Sequence, residues 1–160
     1  MSEPRPNPCV VIRRGSVHDR PRVTSIAFAA MRSFGIEPDP TDFDRDLATF
    51  GDHAAHKIIE LVAELNGEVI GSILASAEDS TAAKITGFYV AEGARGAGAG
   101  ARLLAEVIGA CRQRGRPQIK LTTHARMHSA MHLYEKFGFS CIGRETLDGQ
   151  SYVHYRAALR

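Results

Sequence analysis

The sequence lacks the features that mark several large classes of protein. Its three cysteines, Cys9, Cys111 and Cys141, are odd in number, widely spaced and without a Cys-x-x-Cys pair. A Cys-x-x-Cys pair would indicate a structural zinc or redox site, and without one we expect reduced thiols. No apolar run approaches the length of a membrane span, and the proline-rich residues 1–8 are unlike a secretory signal. We therefore expect a cytoplasmic protein with a flexible N-terminal tail and no membrane association.

An excess of one sign of charge is also missing. Lys and Arg number 20 and Asp and Glu 18, for a net charge of +2. A protein that binds nucleic acid through phosphate contacts needs a basic stripe, so we expect no nucleic-acid partner. The 160 residues, 44% of them hydrophobic, suffice for one core. We expect a single domain over residues 9–160.

The chain shows two successive patterns of secondary structure. Up to residue 90, the β-branched run at 9–14 predicts a strand, and an apolar stripe of helical period after it predicts a helix. A short second helix before Gly51 and antiparallel strands at 57–65, 68–77 and 83–90 follow. Asn66-Gly67 predicts a type I′ turn between two of these strands. Beyond residue 90 the pattern is helix, strand, helix and a closing hairpin, at 98–114, 118–123, 127–137, 140–147 and 151–158.

A glycine-rich loop precedes the helix at 98–114 and contains Arg95, Gly96, Gly98 and Gly100. The first N–H groups of a helix are unpaired and carry partial positive charge, and glycines let the backbone approach a pyrophosphate closely. Arg95 would add a charge-assisted hydrogen bond. The segment therefore predicts an anion-binding loop.

Other interpretations of this loop fit less well. Residues 96–101 match a Gly-x-Gly-x-x-Ala dinucleotide fingerprint, but five residues separate Val90 from Gly96, whereas a Rossmann loop begins almost at the strand end. A Walker loop would need Gly-Lys-Ser/Thr, which the sequence does not contain. A merely flexible turn remains an alternative.

Strand, loop and helix together resemble the acetyl-CoA-binding motif R-x-x-G-x-G/A of GNAT-superfamily N-acetyltransferases, with Arg95, Gly98 and Gly100 at its fixed positions. Residues 130–139, AMHLYEKFGF, are similar to the family's A-x-x-L-Y-x-x-x-G-F segment. The resemblance extends over residues 10–159. It implies an α/β (α+β) fold with about four helices and a mixed, mostly antiparallel sheet of six or seven strands. The sheet would be splayed between its fourth and fifth strands, with acetyl-CoA in the opening.

The resemblance also implies the residues of the site. The main chain of Phe88, Tyr89 and Val90 would pair with the pantetheine arm of CoA. The loop and first helical turn would bind the pyrophosphate through Arg95, Gly96, Ala97, Gly98, Ala99, Gly100 and Ala101. Tyr134 holds the position whose phenol, in many members, protonates the departing CoA thiolate, although it also fits a core stripe of its helix. The implied reaction is direct acetyl transfer to a primary amine of a small molecule or peptide, without a metal.

Two positions depart from the family pattern. Lys84 stands where many relatives have a glutamate that serves as general base, and Met127 stands where many have an asparagine. Deprotonation of the amine is therefore unassigned, and His124 is a candidate base because it ends the strand that borders the cleft. His124, His128 and His132 recur every four residues, but without an acidic partner they do not predict a metal site.

Acidic residues are concentrated between the first two helices, in the region that forms the acceptor wall in the family. Glu37 and Asp39, with Asp42, Asp44 and Asp46, would attract a cationic amine or simply form a solvated loop. A non-catalytic acyl-CoA sensor and a nicotinamide-dependent oxidoreductase are the alternatives to an acetyltransferase. Relatives are often dimers, so a homodimer is expected.

Overall fold

Seven strands form one sheet in the computed structural model, which describes residues 9–38, 45–94 and 96–159. The expected tail, residues 1–8, lies outside the described residues. The elements in chain order are β1 Val10–Arg14, α1 Arg20–Ser33, α2 Arg45–Ala48, β2 Lys57–Leu65, β3 Glu68–Ala77, β4 Ala82–Val90, α3 Ala99–Gln113, β5 Gln118–His124, α4 His128–Lys136, β6 Ser140–Leu147 and β7 Gln150–Ala158. Short 3₁₀ turns cover Val17–Asp19 and Glu92–Ala94.

The strand order is β1-β2-β3-β4-β5-β7-β6, and β4 and β5 are the parallel pair of this otherwise antiparallel sheet. The expected mixed sheet with four helices is confirmed. The two predicted hairpin turns also form: Asn66 and Gly67 have φ of 53° and 81°, and Asp148 and Gly149 have φ of 50° and 76°. Positive φ at both central residues is what a type I′ turn requires.

Two apolar layers cover the two faces of the sheet. On one face, Leu103, Leu104 and Val107 of α3 are fully buried against the central strands, and Tyr134 of α4 belongs to the same cluster. On the other, Val23 and Ile26 of α1 pack with residues from α2 and β3. Burial of these two helical stripes fixes α1 and α3 on opposite sides of β4.

The sheet opens between β4 and β5. Their pairing runs from Ala82↔Gln118 to Ile85↔Leu121 and stops there, although β4 continues to Val90 and β5 to His124. β4 contains a bulge near the point of separation. Tyr89 pairs with Ser72 of β3 and Thr86 pairs with Leu74, so two residues of β4, 87 and 88, lie opposite the single residue 73 of β3. A bulge bends its strand and increases the local twist. Here it directs the end of β4 away from β5.

Gly87 makes the bulge possible, with a φ of 60°. A Cβ at this position would lie 3.2 Å from Leu47 Cδ1. We expect Gly87→Ala to lower the free energy of unfolding by roughly 1–2 kcal/mol, because the left-handed region disfavours a side chain by about that amount.

The matched control is Gly109→Ala, in the interior of α3, where a Cβ would meet open space. It should raise stability by roughly 0.5–1 kcal/mol, since alanine is the better helix former. Urea denaturation measures both variants. A Gly87→Ala protein as stable as the unmodified one would show that the bulge does not require glycine.

Candidate acetyl-transfer cleft

Two adjoining cavities occupy the opening of the sheet. The larger, of about 460 Å³, lies between the end of β4, the glycine loop and the start of α4. The smaller, of about 300 Å³, lies where β4 and β5 part, with Lys84, Thr122 and Tyr134 in its wall. The two share the residues Phe88, Tyr89, Met127 and Ala130. A molecule in the larger cavity would therefore meet one in the smaller cavity beside β4.

The glycine loop and the start of α3 form one side of the larger cavity. Gly96 and Gly98 have φ of 92° and 79°, and Gly98 is the N-cap of α3. Arg102 N donates to Gly98 O at 3.2 Å, the first bond of the helical ladder. The N–H groups of residues 99–101 precede this ladder, and a helix start carries partial positive charge. This geometry suits a phosphate group.

The structure brings most of the predicted cofactor residues together. The wall of the larger cavity includes Phe88, Tyr89, Val90, Gly96, Gly98, Ala99 and Gly100. Ala97 and Ala101 belong to the same loop and first turn but not to this wall, and Arg95 lies outside the described residues. Ala30 of α1 and Phe34, which directly follows this helix, also belong to the wall. Sequence reasoning missed these two, because the periodicity of α1 signals only a buried stripe.

Tyr134 lies between the smaller cavity and the core. It is 5% exposed, and its ring centroid is 6.0 Å from that of Phe88 and 5.7 Å from that of Tyr155. Burial raises the pKa of its phenol, and the nearby Tyr89 and Tyr155 add to the effect. Among the described residues its hydroxyl has no hydrogen-bond partner. The side chain therefore keeps its proton at neutral pH and has that proton free to donate.

His124 lies in the wall of the smaller cavity but is engaged at both ring nitrogens. The backbone N–H of Arg126 donates to its Nδ1 at 3.2 Å, and its Nε2 lies 2.6 Å from Gln150 Oε1. With Nδ1 accepting, Nε2 carries the proton and donates to Gln150. No lone pair remains for an amine, so these contacts argue against the suggested role of His124 as base.

The acidic segment contributes less to the cleft than its sequence indicates. Glu37 is exposed, pairs with Arg32 at 3.4 Å and lies outside both cavity walls, while Asp39, like the rest of residues 39–44, lies outside the described residues. Asp46 accepts from Ser76 at 2.7 Å and contacts His56 at 2.8 Å. Burial opposes ionisation of Asp46, but these two hydrogen bonds and the charge interactions with His56 and Lys57 together lower its pKa.

Lys84 and Thr86 bring polar groups to the smaller cavity. Lys84 is exposed and makes no ion pair with a described residue. The Thr86 hydroxyl oxygen is buried and has no partner among the described residues. An unpaired buried hydroxyl is costly, so a polar ligand here would be favoured. Met127, at the position of the family's asparagine, lines both cavities and accepts a hydrogen bond from Thr123 Oγ1 to its sulfur at 3.6 Å.

The cysteines are free and poorly suited to nucleophilic catalysis. Burial raises the pKa of the Cys111 thiol to about 11, and Cys9 and Cys141 are exposed and line neither cavity.

Within residues 9–38, 45–94 and 96–159, no cluster of three His, Cys, Asp or Glu side chains could hold a metal ion. The helices of that part of the chain include none long and apolar enough to cross a membrane.

An open parallel strand pair beside a glycine-capped helix defines the class of fold, and comparison with known families identifies it. Residues 21–139 match the acetyltransferase (GNAT) family. The chain therefore belongs to the GNAT acetyltransferase family. Comparison with curated protein sequences gives no significant match.

Solved structures with the same fold cover nearly the whole chain. A GNAT-family acetyltransferase of Staphylococcus aureus Mu50 is 21% identical, with a TM-score of 0.82 over 95% of this chain and 100% of that one. A Salmonella typhimurium protein described as an acetyltransferase, determined with its cofactor acetyl-CoA, is 20% identical, with a TM-score of 0.78 and 95% of each chain covered. A ribosomal-protein-alanine N-acetyltransferase of Brucella melitensis is 22% identical, with a TM-score of 0.73 over 93% and 99%.

Proposed function

We propose that this protein transfers the acetyl group of acetyl-CoA directly to a primary amine of a small molecule or peptide. The observation that carries the proposal is the meeting of two cavities at β4, with Tyr134 in the wall of the smaller one. One cavity would hold the thioester and the other the amine. Direct attack of the amine on the thioester requires both reactants in one cleft, because holding them side by side makes a bimolecular step effectively unimolecular.

Acetyl-CoA would enter the opening as an additional strand. The edge of β4 beyond Ile85 has no β5 partner among the described residues, so its backbone groups are available to the pantetheine amides. The N–H groups at the start of α3 would hold the pyrophosphate, and Arg95 would pair with it. An N–H of the same β4 edge would stabilise the oxyanion of the tetrahedral intermediate.

Tyr134 would protonate the departing thiolate. The phenol of this buried side chain stays protonated at neutral pH, and the residue lies in the wall of the cavity assigned to the amine. No acyl-enzyme is needed, because the buried Cys111 remains a thiol. The Brucella melitensis protein is named for a ribosomal-protein alanine acceptor. We therefore include peptide N-termini, with polyamines, amino acids and aminoglycosides, among the acceptors to be screened.

A second function, a non-catalytic acyl-CoA sensor, is favoured by one observation. Lys84 occupies the position of the family's glutamate and faces the smaller cavity. A sensor would bind acetyl-CoA without turnover, so release of CoA in the presence of any of these amines excludes it.

We expect saturating acetyl-CoA to raise the melting temperature by several degrees, whereas ATP and NADH should not. Ligand at about 100 times its dissociation constant stabilises by roughly 2.7 kcal/mol.

Gly98→Val should abolish this shift, because a β-branched residue is strained at a φ of 79° and would displace the loop from the phosphates.

Gly115→Val is the matched control. Gly115 has a φ of 70° at the opposite end of α3, outside both cavities. This variant should lose a similar amount of stability yet keep the acetyl-CoA shift. Equal binding by Gly98→Val and the unmodified protein would make the loop purely structural.

We expect Tyr134→Phe to reduce turnover by roughly 10² or more, because it removes the proton donor and keeps the packed ring. Acetyl-CoA affinity and melting temperature should change little. Tyr155→Phe removes the hydroxyl of the neighbouring tyrosine, which contacts Glu135 at 3.4 Å outside both cavities, and should stay close to full turnover. Steady-state and single-turnover kinetics measure both. Turnover of Tyr134→Phe within about twofold of the unmodified enzyme would remove Tyr134 from the chemistry.

A further inference from the structure

Three polar side chains form a hydrogen-bonded row from the smaller cavity towards solvent. Thr122 lines the cavity, and its Oγ1 is 2.7 Å from His154 Nδ1, while His154 Nε2 is 2.8 Å from Glu145 Oε1. Thr122 and His154 are register partners on β5 and β7, so their side chains lie on the same face of the sheet. Glu145 reaches His154 from β6.

The chemistry of the three groups gives the row a direction. The carboxylate of Glu145 can only accept, so His154 donates its proton from Nε2. Nδ1 of the neutral ring then holds a lone pair, which accepts the hydroxyl proton of Thr122. The Thr122 oxygen keeps its own lone pairs for a donor inside the cavity. This arrangement can take a proton from the cavity and pass it outwards.

We propose that Thr122, His154 and Glu145 form a proton relay that deprotonates the acceptor amine; this inference rests on the proposed acetyl transfer. The ammonium gives one proton to Thr122 Oγ1 while the hydroxyl proton moves to His154 Nδ1. The imidazolium, paired with Glu145, releases that proton to water. The neutral amine forms the N–C bond, the C–S bond breaks, and the thiolate takes the phenol proton of Tyr134. As the amide forms, its nitrogen loses a second proton, which returns to the Tyr134 oxygen and restores the phenol.

The relay supplies the general base for the amine, a role that no other described residue of the cavity fills. The described residues that line this cavity include no carboxylate, and His124 is engaged at both nitrogens. The side chain of His154 is 32% exposed, so water can remove its proton. Among the described residues, the charged or titratable groups around His154 on this face are Glu145 on β6, Lys120 and His124 on β5, and Tyr152 and Arg156 on β7.

Thr122→Val removes the hydroxyl and keeps the shape of the side chain. The probe reaction is acetyl-CoA with whichever of spermidine, free alanine, kanamycin or an alanine-starting peptide turns over fastest. We expect kcat/KM near pH 7 to fall by roughly 10². The deficit should shrink as pH rises, since more amine then arrives neutral. Thr122→Ser should recover most of the loss, while Thr146→Val, an exposed β6 substitution outside the cavities, should change neither rate nor pH profile.

The tautomer of His154 gives a second readout that needs no turnover. Long-range ¹H–¹⁵N spectra of the full chain should show the proton on Nε2 and an unprotonated Nδ1. A proton on Nδ1 of the neutral ring would overturn the relay, as would a Thr122→Val loss that is the same at every pH or absent. If the unmodified protein turns over none of the four amines, both the acetyltransferase proposal and the relay fail. Turnover by the unmodified protein with an unaffected Thr122→Val overturns the relay alone.

Discussion

The separation of β4 from β5 is the constraint on which the cleft depends. A parallel pair would normally continue its hydrogen bonds along both strands, yet here pairing ends at Ile85↔Leu121 and the later backbone groups of β4 face an opening. Unpaired backbone groups favour a ligand with amides of its own. The Gly87 bulge turns β4 away, and β7 pairs with the other edge of β5 as far as His124. The opening is thus built into the strand pairing and does not depend on a loop that moves.

A buried ion pair fixes the segment that follows α2, the helix that packs against the Gly87 bulge. Lys57 and Glu60 have side chains 1% and 0% exposed with a 3.3 Å contact. Glu60 also accepts the backbone N–H groups of Gly51 and His53, at 2.6 and 3.0 Å, and Lys57 donates to Thr49 O at 2.9 Å. A buried pair is tolerated when its remaining hydrogen bonds are satisfied, as they are here. The segment after α2 is thereby fixed, and Leu47 of α2 lies against the Gly87 bulge.

Local features were predictable from sequence, and long-range ones were not. Asn66-Gly67 fixed the first hairpin to the residue, and the glycine loop gave the start of α3 within one position. The role proposed for Tyr134 rests on the resemblance. The placement of β7 between β5 and β6 follows from packing that no local pattern encodes. The same holds for Thr122 and His154, which meet across strands although they are 32 positions apart in sequence, and for the hydrogen bonds that occupy His124.

In the proposed complex, acetyl-CoA lies in the opening as an extra strand, with its pyrophosphate at the start of α3. Residue-resolved amide hydrogen exchange, with and without saturating acetyl-CoA, tests it most directly. We expect acetyl-CoA to slow exchange at residues 88–90 and 99–101 and to leave the β6–β7 hairpin unchanged. Protection confined to other parts of the chain, or no protection at these residues while acetyl-CoA is bound, would contradict it.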